Sequence, residues 1–285
     1  MRKIVFSKYH GQGNDFIIID AAQKSISFGE EEIQIICDRH LGVGADGLIL
    51  VKKSEDYDFY MDYYNMDGSK AEMCGNGIRC MAGFIFDKKL SSESSIEIDT
   101  LAGVKAIEME INGNLLGSIS VDMDKPIFDP KLIPVDLKRD EVFGYKVPVG
   151  NRVFNINCIS MGNPHCIIFL DQDEELGNIP LDVWGPALEK HSIFPNKTNV
   201  EFIKMGEENQ IDMRVWERGV GETLACGTGA CAAGVCTIKL RKIKGSEVNV
   251  KVPGGRLEVR WNPPSGSVFL KGIVKHVYDG LYFLD

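Results

Sequence analysis

The sequence predicts an α+β protein made of two pseudo-symmetric domains, each a mostly antiparallel or mixed sheet wrapped around a central helix. Three observations carry that expectation. First, two glycine-flanked stretches are near copies: Met73-Cys74-Gly75-Asn76-Gly77-Ile78-Arg79-Cys80 and Ala225-Cys226-Gly227-Thr228-Gly229-Ala230-Cys231, each followed by an apolar helix-forming run. Second, the offset between their cysteines, 226 − 74 = 152, also lays 58–65 on 210–217 and 96–103 on 248–255 without a gap. Third, many short strand-like runs at hairpin spacing alternate with two principal helical segments per half. A repeat this long is two domains of one fold, not a solenoid of short units.

Taken in order, strands at 3–8 and 16–20 flank the glycine-rich turn that holds Gly13-Asn14-Asp15, and 30–39 reads as an amphipathic helix with Ile33, Ile36 and Cys37 on one face. Strands at 48–52 and 59–64 lead to Asn65-Met66-Asp67-Gly68, a turn, before Cys74 and its helix. Strands at 96–100, 104–111 and 115–123 close the first half. Residues 125–130, with two prolines, read as a linker. The second half repeats the order: strand 154–160, the turn Gly162-Asn163-Pro164-His165, strand 166–170, helix 181–191 and strand 198–203, which falls on 46–51. Gly13-Asn14-Asp15 falls on Gly162-Asn163-Pro164 at 162 − 13 = 149. The expected domains are 1–124, with 274–285 returning to it, and 125–273.

Composition narrows the class. For 285 residues, 44% hydrophobic and 26% charged content are those of an ordinary globular chain of about two domains. A net charge of −9 leaves no basic stripe to replace phosphate counterions, so no nucleic-acid partner is expected. No run approaches the ~18 apolar residues of a membrane span, and the first residues enter strand-like sequence without a signal-peptide core. The expected location is cytoplasmic, where the eight cysteines stay reduced. No C-x-x-C pair suggests a metal.

Only Cys74 and Cys226 precede Gly-x-Gly, at the start of a helix where unpaired N–H groups and the dipole favour a thiolate. Two such sulfurs on duplicated halves suit inversion of a carbon beside a carboxylate. A thiolate removes the hydrogen from one face while a thiol delivers a proton to the other. Amides around Gly75-Asn76 and Gly227-Thr228 can hold the carboxylate, so neither metal nor pyridoxal phosphate is required.

Asn65-Met66-Asp67-Gly68-Ser69, the Cys74 stretch, Gly162-Asn163-Pro164-His165, Trp216-Glu217-Arg218-Gly219 and the Cys226 stretch, in this order, resemble the diaminopimelate epimerase family nearly end to end. The resemblance implies a cofactor-independent epimerase that converts LL-2,6-diaminopimelate to the meso form for lysine and peptidoglycan precursors. Cys74 and Cys226 are then the acid–base pair, with His165 and Glu217 lining the catalytic centre. Asn14, Asn65, Asn163 and Asn199 resemble substrate-binding asparagines, and Gly75, Asn76, Gly227 and Thr228 match the carboxylate cradle. Glu217 takes an ammonium group, Arg218 the distal carboxylate, and Tyr278 packs a homodimer. Some relatives carry glutamine where this chain has Gly47.

Plainer readings stand beside these. An asparagine in a glycine turn is commonly a turn former, and Glu217-Arg218 alone is an exposed charge pair of little worth. Racemisation of proline or another amino acid uses the same fold, and a small monocarboxylate would not need Arg218. A thiol redox protein, with Cys74 and Cys226 as a switch, would show itself as a cross-linked peptide under mild oxidant.

Overall fold

Alternating apolar residues at the head of the chain form β1 (Arg2–Gly11), which turns through Gln12 and Gly13 into β2 (Asn14–Asp20). Both turn residues have positive φ, 54° and 86°, the region in which glycine carries no steric cost. The computed structural model describes residues 2–22, 26–264 and 266–284. The chain divides into two units, Met1–Asp122 with Lys271–Asp285, and Met123–Leu270.

The first unit continues with α1 (Glu30–Cys37), β3 (Gly47–Lys52), β4 (Phe59–Asn65), β5 (Lys70–Ala71), α2 (Gly75–Asp87), β6 (Ser95–Asp99), β7 (Lys105–Asn112) and β8 (Leu115–Asp122). The helix expected over 30–39 stops at Cys37, because Asp38 turns extended and its carboxylate accepts from the amides of His40 and Leu41. Strand β3 is buried on both faces. Leu48 and Leu50 pack with Ile33 and Ile36 of α1, while Ile49 points to Gly77 of α2. That explains its unbroken apolar run. Eleven of the thirteen residues of α2 are buried, as expected of a helix that is apolar almost all round.

The second unit holds β9 (Tyr145–Val149), β10 (Arg152–Ser160), β11 (Pro164–Phe169), α3 (Leu181–Glu189), β12 (Asn199–Met205), β13 (Gln210–Glu217), β14 (Gly221–Thr223), α4 (Gly227–Lys239), β15 (Glu247–Val252) and β16 (Gly255–Trp261). Val200 and Phe202 of β12 pack with Leu181 and Leu188 of α3, and α4 is buried at eleven of its thirteen residues. Gly234 of α4 lets β16 close in, since a Cβ there would stand 2.7 Å from Val259. The stretch read as a linker is joined to this unit by the bridge Ile127–Ser160. Strands β17 (Val268–Gly272) and β18 (Lys275–Leu284) complete the chain, and β18 pairs antiparallel with β1, from Arg2–Leu284 to His10–Lys275.

The pairing is mixed and follows one order in both units. β2 and β3 run parallel, β3 and β4 antiparallel, β4 and β6 parallel, β6 and β7 antiparallel. β11 and β12 run parallel, β12 and β13 antiparallel, β13 and β15 parallel, β15 and β16 antiparallel. The duplication is therefore one of topology as well as of pattern.

Candidate active site

In the first unit, Cys74 is the N-cap of α2, with extended backbone (φ −136°, ψ 123°), and Gly75 and Asn76 form the first turn. Asn14 at the start of β2 meets both. Its Oδ1 lies 3.6 Å from Cys74 Sγ and accepts from Asn76 Nδ2 at 3.2 Å. Asn14 Nδ2 donates to Asp46 at 2.7 Å, and Arg39 donates to the other oxygen of Asp46 at the same distance. Behind them, the buried Lys8 pairs with Asp15 at 2.8 Å and donates to Gly44 O. Burial alone would raise the Asp15 carboxyl, but Arg39 and Lys8 outweigh it and hold the group well below the usual range. Asn65, at the end of β4, accepts from Tyr63 and donates to Ser69.

Arg79 carries the helix start. Fully buried, its guanidinium donates to Gly75 O at 3.1 Å, Asn76 Oδ1 at 2.7 Å and Gln12 Oε1 at 2.6 Å, and Gln12 in turn donates to Ile273 O. Gly47 has a packing reason of its own. A Cβ there would stand 2.6 Å from Tyr64 O and 2.7 Å from the Tyr63 ring, leaving no room for glutamine.

In the second unit, Cys226 is the N-cap of α4, and its sulfur accepts from Gly229 N at 3.4 Å beside the Thr228 hydroxyl at 3.5 Å. A thiolate is expected from the helix start, and the structure opposes it. Burial, then the carboxyls of Glu217 and Glu201, push the Cys226 thiol well up, against a smaller pull from Thr228 and Gly229. Burial also raises the Glu217 carboxyl, against hydrogen bonds from Thr223 and Cys226. His165 is fully buried, with Nδ1 at 2.6 Å from Glu201 Oε1 and Nε2 at 2.8 Å from Asn163 Oδ1. Asn199 spans the loops, donating to Pro164 O and accepting from Arg218 N, both at 2.9 Å. Glu189 accepts from Gly219 N at 3.0 Å and Trp216 Nε1 at 2.9 Å, fixing the turn that carries the exposed Arg218, whose guanidinium donates to Asn196 O at 3.4 Å.

The structure thus joins Asn14, Cys74 and Asn76 in one group, and His165 with Asn163, and Cys226 with Thr228 and Glu217, in another. Asn65 and Asn199 brace loops, and Tyr278 is exposed on β18. Sequence reasoning missed Lys8, Asp46, Arg79, Glu189 and Glu201.

The fold is one found among isomerases and their relatives. It resembles a PhzF-family phenazine biosynthesis protein of Bacillus anthracis at TM-score 0.72 and 20% identity, over 100% of both chains. It also resembles a hydroxyproline epimerase of Agrobacterium vitis, at TM-score 0.70 and 11% identity, over 98% of this chain and 92% of that one. A model of the diaminopimelate epimerase family matches residues 6–128 and 157–277. The diaminopimelate epimerase of Methanococcus maripaludis strain C6 is 43% identical over 96% of this chain and 98% of its own length. That of Halothermothrix orenii is 44% identical over 98% and 97%. The chain belongs to the diaminopimelate epimerase family.

Proposed function

We propose that this protein inverts one α-carbon of LL-2,6-diaminopimelate to give the meso isomer, a precursor for lysine and peptidoglycan, by proton transfer between two thiols. The observation that carries this reading is the cysteine that caps the central helix of each unit, in a chain whose relatives are diaminopimelate epimerases. One sulfur removes the α-hydrogen as a proton, leaving its electron pair on carbon and the adjoining carboxylate. The other sulfur delivers a proton to the opposite face, so nothing is oxidised or reduced. One sulfur is the base and the other the acid, and they exchange roles in the reverse direction. The amides of Gly75 and Asn76, and of Gly227 and Thr228, receive the charge that develops on the carboxylate. No cofactor enters these steps.

Arg218 grips the distal carboxylate through its exposed guanidinium, while Glu217 takes an ammonium group and, with His165, lines the catalytic centre. Asn14, Asn65, Asn163 and Asn199 bind the polar ends of the substrate. A cytoplasmic location suits a chain with eight cysteines, since thiols stay reduced there. Incubation with LL-diaminopimelate, followed by chiral chromatography, should yield the meso isomer, and proline and hydroxyproline should remain unchanged. Turnover of proline instead would overturn the substrate assignment.

We further propose a homodimer formed on the β1–β18 face. Val5, Leu281 and Phe283 are exposed on one side of these paired strands, and Tyr278 is exposed at their other side, edge-on to Phe6 at 5.8 Å. Sedimentation should give twice the 31.6 kDa chain mass, and Tyr278→Asp should shift the protein toward monomer. A wild type that sediments as a monomer at micromolar concentration would contradict this.

A further inference from the structure

The duplication puts two chemically different pairs at one place in the fold. In the first unit, Phe16 and Ile49 pack on Gly77, where an added Cβ would stand 3.3 Å from each. Their counterparts are His165 (165 − 16 = 149), Glu201 (201 − 49 = 152) and Gly229 (229 − 77 = 152). Strand register agrees, since Phe16 sits beside Gly47 and His165 beside Asn199, residues themselves 152 apart. The contact is also repeated: a Cβ on Gly229 would stand 2.7 Å from Glu201 Oε1. One unit fills this place with an aromatic ring and an aliphatic chain. The other fills it with an imidazole and a carboxyl, both 0% exposed.

Packing does not explain the exchange. Phe16 and Ile49 show that apolar side chains serve here, and a buried polar pair is commonly no more stabilising than apolar residues of similar volume. Glu201 Oε2 has no hydrogen-bond partner among the described residues, an added cost. We propose that Glu201 is the positioning residue for His165, holding the ring by its Nδ1 hydrogen so that only Nε2, the nitrogen at Asn163, gains and loses a proton. This rests on His165 belonging to the catalytic centre.

With Glu201 ionised its oxygens only accept, and the nitrogen 2.6 Å from Oε1 is then the one that carries hydrogen in either charge state of the ring. The partner of Nε2 is different in kind. An asparagine amide accepts through Oδ1 when Nε2 is protonated, and after a half turn donates through Nδ2 when it is not. Asn163 therefore follows the ring proton while Glu201 keeps the ring still. Glu217 from β13, Cys226 at the start of α4, Cys236 on α4 and Cys166 on β11 also lie within electrostatic reach of the Glu201 carboxyl.

The test compares wild type with Glu201→Gln, Glu201→Asp and the double exchange His165→Phe/Glu201→Ile, which carries the first unit's pair. Nitrogen-15 imidazole spectra, with His165 assigned by its loss in His165→Asn, should show Nδ1 protonated in wild type throughout the active pH range. In Glu201→Gln the amide can donate to Nδ1, so that hydrogen should move to Nε2. The value of kcat should fall about 100-fold, KM should change less, and the pH–rate profile should alter. Glu201→Asp should recover the Nδ1 hydrogen and part of the rate. The double exchange should fold, because its pair already packs in the duplicate, and lose turnover. Wild-type nitrogen signals and pH profile in Glu201→Gln, or wild-type kcat in the folded double exchange, would overturn the proposal. A wild type inactive on every amino acid would overturn the functional reading instead, and the nitrogen signals would still decide the role of Glu201.

Discussion

Replacing Cys226 by serine is expected to lower kcat about 1,000-fold, and replacing Cys74 by serine should do the same. The reason lies in what each sulfur must do. Cys226 sits buried at the cap of α4 with its thiol pushed well up, first by burial and then by Glu217 and Glu201. As a thiol it can release a proton to a carbanion on one side of the substrate. A serine hydroxyl keeps the size and can accept from Gly229 N, but it is a far weaker acid than a thiol, and a serine at Cys74 is correspondingly poor at reaching the anionic form. The two variants should differ in one respect. Each retains one functional sulfur, so each should still exchange the α-hydrogen of one stereoisomer with solvent without inverting it. Chiral chromatography with mass detection reads both losses. A Cys226→Ser enzyme within about threefold of the wild-type rate would contradict the two-thiol reading.

Replacing Arg79 by methionine should destabilise the protein by about 3 kcal/mol and damage catalysis as well. The guanidinium is wholly buried and supplies donors to Gly75 O, Asn76 Oδ1 and Gln12 Oε1. Methionine fills much of the volume but leaves acceptors without their donor, each loss costing about 1–3 kcal/mol. Asn76 links this network to Asn14, and Asn14 to Cys74, so the start of α2 should loosen where the sulfur is held. Lysine in place of Arg79 keeps the charge but not the planar fork, and should fall between the two. Urea unfolding measures the first effect and kcat the second. An unchanged midpoint for Arg79→Met would show that the network contributes little.

Much of this was legible in the sequence, for identifiable reasons. The two-unit α+β fold showed because a single offset kept glycines and apolar alternation in register over both halves. The helix starts at Cys74 and Cys226 showed because Gly-x-Gly followed each. Short strands did not show: β5 has two residues and β14 three, too few for a period to declare itself. Strand β9, of pattern Tyr-Lys-Val-Pro-Val, buries only Val147 and includes a proline. Arg39 read as the end of a helix, whereas its side chain pairs with Asp15 and Asp46 from a loop. Glu201 was hidden inside 198–203, a run that reads as a strand and singles out no acid within it. The residue that flags it is Ile49, its counterpart across the duplication. The contacts of Lys8 with Gly44 and of Arg79 with Gln12 join residues 36 and 67 positions apart, and no local pattern encodes such contacts.

Turnover of LL-diaminopimelate by the wild-type protein in deuterated water, sampled early in the reaction, separates transfer by two thiols from transfer by one group. Two opposed thiols require that the meso product carry deuterium at the inverted carbon while the remaining LL substrate stays unlabelled. A meso product that retains the substrate's own hydrogen would mean that one group carries the proton across, and the two-thiol account would be wrong.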